Sequence, residues 1–255
     1  MTQEHNRDGR ASGQTPGRGL DKREIRLLHT SDVHIRNDEH RDWALHGLQG
    51  VVDLAVGLGV DALLIAGDLF DRDGLEKTLV AHVFRVLGAI GVPVVVLPGN
   101  HDVLLLDDAF DVTAIPVSVR LITHPDGELI ALPGIGTSIW GKPVYDHSPA
   151  FLPLSGVPPR PRTGWYVVMG HGLVVPHGNP EVRSAPLFPD ALANVEADYV
   201  ALGHVHVFRD VTVGDTRICY SGAPSGMSSP GAALVTLSPG VGVRVDKVPV
   251  PPLKD

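Results

Sequence analysis

The chain predicts an α/β fold: a four-layer α/β/β/α sandwich of two mixed β-sheets in one domain. Three observations carry this. Residues 25–97 alternate apolar runs with helix-period segments, and that β-α-β-α-β order demands right-handed crossovers and a parallel sheet. Beyond residue 102, short apolar runs are separated by Pro and Gly, as strands joined by turns are. The 255 residues, 43% of them hydrophobic, are enough to fill one large core.

Residues 1–24 are rich in Gly, Arg, Gln, Ser and Asp and nearly free of apolar side chains, so burial cannot offset the entropy of ordering them. They are expected to be a disordered tail, with one domain over 25–250 and a short proline-marked exit over 251–255. The first strand begins at residues 25–28. Trp43, Leu45, Leu48, Val51, Val52, Leu54 and Ala55 repeat at helical spacing over 41–57, with Gly57 and Gly59 to stop the helix. A buried strand follows at 61–66, a second helix at 76–90 closed by Gly91, and a third strand at 92–97. Further strands are expected at 119–122, 129–132, 135–140, 165–169 and 199–202, with a short helix at 189–195. The segments 207–213, 217–220, 232–237 and 243–250 are read as a closing antiparallel meander.

The formal charge is −8, from 29 acidic and 21 basic residues, and this weighs against a dedicated nucleic-acid binder. Cys219 is the only cysteine, so no intrachain disulfide forms. There is no run of apolar residues long enough to span a bilayer and no secretory leader, so a cytoplasmic protein without membrane contact is expected.

Polar residues gather at five strand ends, each beside Gly or Ser: Asp32 and His34; Asp68; Asn100 and His101; His171; His204 and His206. In an extended segment Asp32 and His34 point the same way, about 7 Å apart. Open α/β sheets bind ligands at the C-terminal mouths of their strands. Mixed imidazole, carboxylate and amide donors suit Mn, Fe or Zn rather than Mg or Ca. The number of candidate ligands is enough for two metal ions, with Asp68 the carboxylate placed to bridge them.

In order, the blocks are Asp32-Val33-His34, Gly67-Asp68, Gly99-Asn100-His101-Asp102, Gly170-His171 and Gly203-His204-Val205-His206. This pattern resembles the calcineurin-like metallophosphoesterases. The resemblance implies one metal held by Asp32, His34, Asp68 and His206, and a second by Asp68, Asn100, His171 and His204. It implies a hydroxide shared by the two ions as the nucleophile for in-line attack, with His101 facing the phosphate as proton donor rather than ligand. Asp71 and Asp102 are candidates for orienting histidines.

Within that superfamily the stretches Leu27-Leu28-His29-Thr30-Ser31-Asp32-Val33-His34, Gly67-Asp68-Leu69-Phe70-Asp71, Asp198-Tyr199-Val200-Ala201-Leu202-Gly203-His204-Val205-His206 and Tyr220-Ser221-Gly222-Ala223-Pro224 are similar to SbcD/Mre11-type DNA-repair nucleases. Those nucleases continue into a capping domain, whereas this chain is expected to end with the core and has no basic stripe. Single strands or ends are therefore expected over long duplex.

The expected activity is a Mn²⁺-dependent phosphodiesterase. A phosphatase or phosphodiesterase acting on small molecules or nucleotides is the alternative, and a non-catalytic metal-binding partner subunit is a third reading. Oligomeric state is open. Among the other polar residues, His147, His177, Arg183 and Arg209 are candidates for substrate contact, while Trp140, Trp165 and Cys219 read as core.

Overall fold

The first strand, β1 (Ile25–Thr30), is buried on both faces, and its alternation shows why. Leu28 packs with the helices outside the sheet. Leu27 packs into a second cluster between two sheets. The computed structural model describes residues 22–71, 74–106, 111–179, 184–226 and 229–251. After β1 come α1 (Arg41–Leu58), β2 (Ala62–Ala66), α2 (Lys77–Gly88), β3 (Val94–Leu97), β4 (Val119–Leu121), β5 (Glu128–Leu132), β6 (Thr137–Gly141) and β7 (Trp165–His171). The chain continues through β8 (Leu173–Val174), β9 (Pro186–Leu187), α3 (Pro189–Ala193), β10 (Tyr199–Gly203), β11 (Arg209–Asp210), β12 (Arg217–Tyr220), β13 (Gly231–Ser238) and β14 (Gly242–Pro249).

Two six-stranded mixed sheets result, in the orders β14-β13-β1-β2-β3-β4 and β11-β12-β10-β7-β6-β5. The same two-way alternation runs through both. Val94 and Val96 of β3 face α1 and α2, whereas Val95 and Leu97 face the second sheet. In β7, Val167 and Met169 face inward, and Tyr166 and Val168 face an outer cluster completed by Leu192 of α3 and Leu154 of the loop 142–164. The expected four layers are present, although the outermost one on the second sheet is mostly loop.

Strands β1 to β4 are parallel, with Thr30 opposite Ile65 and Ala66 opposite Leu97. Strands β6, β7, β10 and β12 are parallel too, with His171 opposite Gly203 and Leu202 opposite Tyr220. The C-terminal ends within each sheet are therefore level, and all the loops that carry the polar blocks leave on one side.

Two expectations are corrected. The last four strands do not form one meander: β12 lies parallel to β10, while β13 crosses to the first sheet and pairs antiparallel with β1. The strand expected over 207–213 shrinks to β11, and beyond it the Ile218 N–H donates to the Thr212 hydroxyl rather than to a ladder carbonyl. In addition, α2 stops at Gly88 with Ala89 as its cap, and Gly91 takes a left-handed φ of 87° in the turn beyond.

Most of the expected tail, residues 1–21, and residues 252–255 lie outside the described residues. Lys22 pairs with Asp198 at 3.2 Å and lies over the Trp165 ring, and Arg23 pairs with Asp61 at 2.7 Å, so these two residues dock on the domain. No helix among the described residues is long and apolar enough to cross a membrane.

Candidate metal centre

The loops after β1 and β2 run side by side. The Asp32 N–H donates to the Gly67 carbonyl (2.9 Å) and the His34 N–H to the Asp68 carbonyl (3.0 Å). To turn there, Asp32, His34 and Asp68 adopt φ of 56°, 55° and 54°, and His204 adopts 99°. Non-glycine residues seldom adopt this region, and it concentrates at functional sites. Among the described residues only Ala185 shares it.

These turns converge three groups of side chains. Ligand atoms of Asp32, His34 and His206 lie within 4.8 Å of one another, and so do those of Asp68, His171 and His204. In the first group His34 Nε2 faces His206 Nε2 at 3.3 Å, and His206 Nε2 lies 3.5 Å from Asp32 Oδ1. In the second, His171 Nε2 lies 3.2 Å from Asp68 Oδ2 and 3.1 Å from Asn100 Oδ1. Asp68 Oδ2 is also 3.9 Å from His34 Nε2, so it reaches toward both groups. All seven residues expected as ligands are brought to one place. The third group is His34, Asp71 and His101.

The two supporting carboxylates divide their roles. Asp71 Oδ1 lies 2.8 Å from His101 Nδ1, and its other oxygen is paired with Arg36, so Asp71 fixes the His101 ring. Asp102 orients no histidine. It is fully buried and accepts from three backbone N–H groups, those of Leu69 (3.2 Å), Phe70 (2.7 Å) and Gly99 (2.8 Å). It thus ties the loop after β2 to the loop after β3. Burial, reinforced by the Asp68 charge, pushes its pKa up to about 7 against the pull of those donors.

Burial lowers the pKa values of His34 and His204 to about 4, with His171 adding to the fall at His204. Both are neutral near pH 7, the form that binds metals. Burial acts the same way on His171, but Asp68 and Asp32 outweigh it and hold its pKa at about 9. Asp68 is itself held well below the usual carboxylate range by His171 and by the His101 backbone N–H, despite its burial. The His171 Nδ1–H donates to the Ala66 carbonyl at 2.9 Å, which aims Nε2 at Asp68 and Asn100. The cluster therefore combines excess negative charge with imidazole lone pairs, the environment a divalent cation needs.

Two serines escaped the sequence reading. Ser31 Oγ donates to Asp32 Oδ2 (2.5 Å) and meets Ser221 Oγ at 2.9 Å. With the His204 N–H reaching both Asp32 oxygens at 3.1 Å, they fix that carboxylate. Nothing local to Ser221 signals a partner 190 residues away. The other candidates lie elsewhere. His177 pairs with Asp190 at 2.6 Å and stacks on Phe188. Arg209 is exposed on the edge strand β11, and His147 is exposed in its loop; neither lines the cleft. Arg183 lies outside the described residues. Trp140, Trp165 and Cys219 are core, and burial pushes the Cys219 thiol up to about 12.

Comparison with known proteins agrees with this geometry. The calcineurin-like phosphoesterase family model matches residues 25–208, and the chain belongs to that family, whose members are hydrolases acting on phosphoester bonds. Over 246 residues it is 28% identical to the DNA double-strand break repair protein Mre11 of Methanosarcina mazei, covering 90% of this chain and 39% of that protein. Over 105 residues it is 35% identical to the SbcD component of the nuclease SbcCD of Escherichia coli K12, covering 35% of this chain and 24% of that protein. The chain thus spans well under half the length of either relative. Among solved structures, TT1561 of Thermus thermophilus shares the fold with a TM-score of 0.59 at 16% identity, covering 89% of this chain and 99% of that one.

The bonding of Asp102 yields a direct expectation. Asp102→Ala leaves three buried N–H donors without an acceptor, each costing about 1–3 kcal/mol. Urea unfolding of the metal-free protein should show a loss of at least about 3 kcal/mol, and a loss under about 1 kcal/mol would refute the tie.

Proposed function

We propose that the chain is a dinuclear metal-dependent phosphodiesterase. The observation that carries this is the pair of donor groups, Asp32–His34–His206 and Asp68–His171–His204, with Asp68 reaching toward both. Asp32, His34, Asp68 and His206 would hold one ion, and Asp68, Asn100, His171 and His204 the other. The mixed nitrogen and oxygen donors favour Mn²⁺, Fe or Zn, and Mn²⁺ is the expected ion. When bound, such a pair supplies Lewis-acid activation of water and neutralises charge on the phosphoryl oxygens.

The protein's own groups do the rest. Asp71 accepts from the His101 Nδ1–H and so fixes the ring, from which a proton carried on Nε2 would pass to the leaving oxygen. The partly exposed His101 ring lies beside His34, with centroids 5.0 Å apart, where substrate enters. Its backbone N–H on Asp68 Oδ1 (2.9 Å) couples its position to that carboxylate. The Mre11 and SbcCD relatives favour a phosphodiester of nucleic-acid type. The formal charge of −8 disfavours the phosphate contacts that long duplex binding requires, so single strands or ends are preferred.

Protein stripped of metal and reloaded with Mn²⁺ should hydrolyse bis-p-nitrophenyl phosphate faster than p-nitrophenyl phosphate. His101→Ala should lower kcat about 10²–10⁴-fold while leaving metal content intact. A monoester preference would make the chain a phosphatase, and no turnover of either ester would leave a metal-binding partner subunit.

Metal uptake should depend on pH with a definite sign. His34 and His204 titrate near 4 and are already neutral at pH 7, whereas His171, at about 9, still carries a proton that a cation must displace. Apparent Mn²⁺ affinity, measured by calorimetry, should rise from pH 7 toward pH 9. A flat profile would contradict the assignment of His171.

A further inference from the structure

The cleft does not end at its histidines. Beyond His34 and His206 it continues between the first turn of α1 and the loops after β10 and β12, where Trp43, Ala44, Val207 and Ala223 line it. Its volume of about 550 Å³ lies in the range of pockets that enclose small organic ligands. The sequence places Trp43 on the apolar face of α1, yet the residue is 39% exposed, whereas Trp140 and Trp165 are 2% and 4% exposed. Gly47, one turn further along the same helix face, packs on the loop after β12 so closely that a Cβ there would sit 3.0 Å from Ser225 Cβ. Trp43 stands one turn before that contact and faces the cleft instead.

Charge narrows what this wall can receive. Apart from histidines, Arg36 is the one cation among the described residues that line the cleft, and it is engaged by Asp71 and by Asp38 at 3.6 Å. Those residues therefore offer no line of free cations for further phosphates, but they do offer an indole beside the phosphoester site. A flat, uncharged group fits such a wall, and bases stack on aromatic side chains whatever their sequence. Resting on the phosphodiesterase reading above, we propose that Trp43 is the stacking platform for a nucleobase attached to the scissile phosphate, so that the preferred substrate is a short nucleotide diester rather than a long strand.

The test compares thymidine 5′-(p-nitrophenyl phosphate) with methyl p-nitrophenyl phosphate on the metal-loaded protein. Wild type should favour the base-bearing diester by about tenfold or more in kcat/KM, Trp43→Ala should bring that ratio near one, and Trp43→Phe should keep most of it. As a readout independent of turnover, thymidine 5′-monophosphate should quench the tryptophan fluorescence of wild type but not of Trp43→Phe, and methyl phosphate should quench neither. Turnover of both diesters without preference, equal losses on both in Trp43→Ala, or no quenching would overturn the proposal and leave the phosphodiesterase reading standing. Turnover of neither diester would overturn that reading and this proposal with it.

Discussion

One hydrogen bond between the two sheets sets the geometry of everything else. The His171 Nδ1–H, at the end of β7, donates to the carbonyl of Ala66, at the end of β2. That bond needs the sheet edges almost in contact, and two glycines permit it. A Cβ on Gly67 would stand 2.0 Å from His171 Nδ1, and one on Gly203 would stand 1.8 Å from the Ala66 carbonyl oxygen. Because the strand ends are level within each sheet, bringing Ala66 and His171 together also brings Asp32, Asp68 and Asn100 from one sheet against His204 and His206 from the other.

The electrostatics follow from that closure. Asp32 and Asp68 are taken out of water, a cost that falls only if the charges are matched. Part of the match comes from within the fold: Ser31 and the His204 backbone on Asp32, the His101 backbone on Asp68. The remainder falls on His171, which is why its proton is held so tightly. A cation between those atoms would meet the same need more fully. Asp102 serves instead the loops that present Asp68 and Asn100, through the backbone N–H groups it accepts from. The strained φ values at Asp32, His34, Asp68 and His204 are sustained by this web of backbone bonds.

Much of this was legible in the sequence, and the illegible part has physical causes. Strands buried on both faces announce themselves as continuous apolar runs, and a polar block after such a run locates a strand mouth, so the sequence alone points to all seven ligand candidates and to His101. Which sheet a strand joins is not written in its alternation, so the pattern alone does not separate β12 from β13, which lie in different sheets. Asp71 and Asp102 were indistinguishable, since each follows one of the polar blocks. Their roles depend on the loops after β1, β2 and β3 lying side by side, a long-range fact. Trp43 kept helical spacing with the core positions of α1, and only the place where the helix's contact with the loop after β12 ends shows that it faces the cleft.

The central claim is that Asp68 joins two cation sites, each drawing ligands from both sheets. Metal content measured by plasma mass spectrometry after Mn²⁺ reconstitution and dialysis tests it most directly, with wild type beside Asp68→Asn. Two ions per chain in wild type, and loss of one or both in the variant with its fold intact by circular dichroism, are the predicted result. A wild type that holds no ion, or a variant that keeps two, would contradict it.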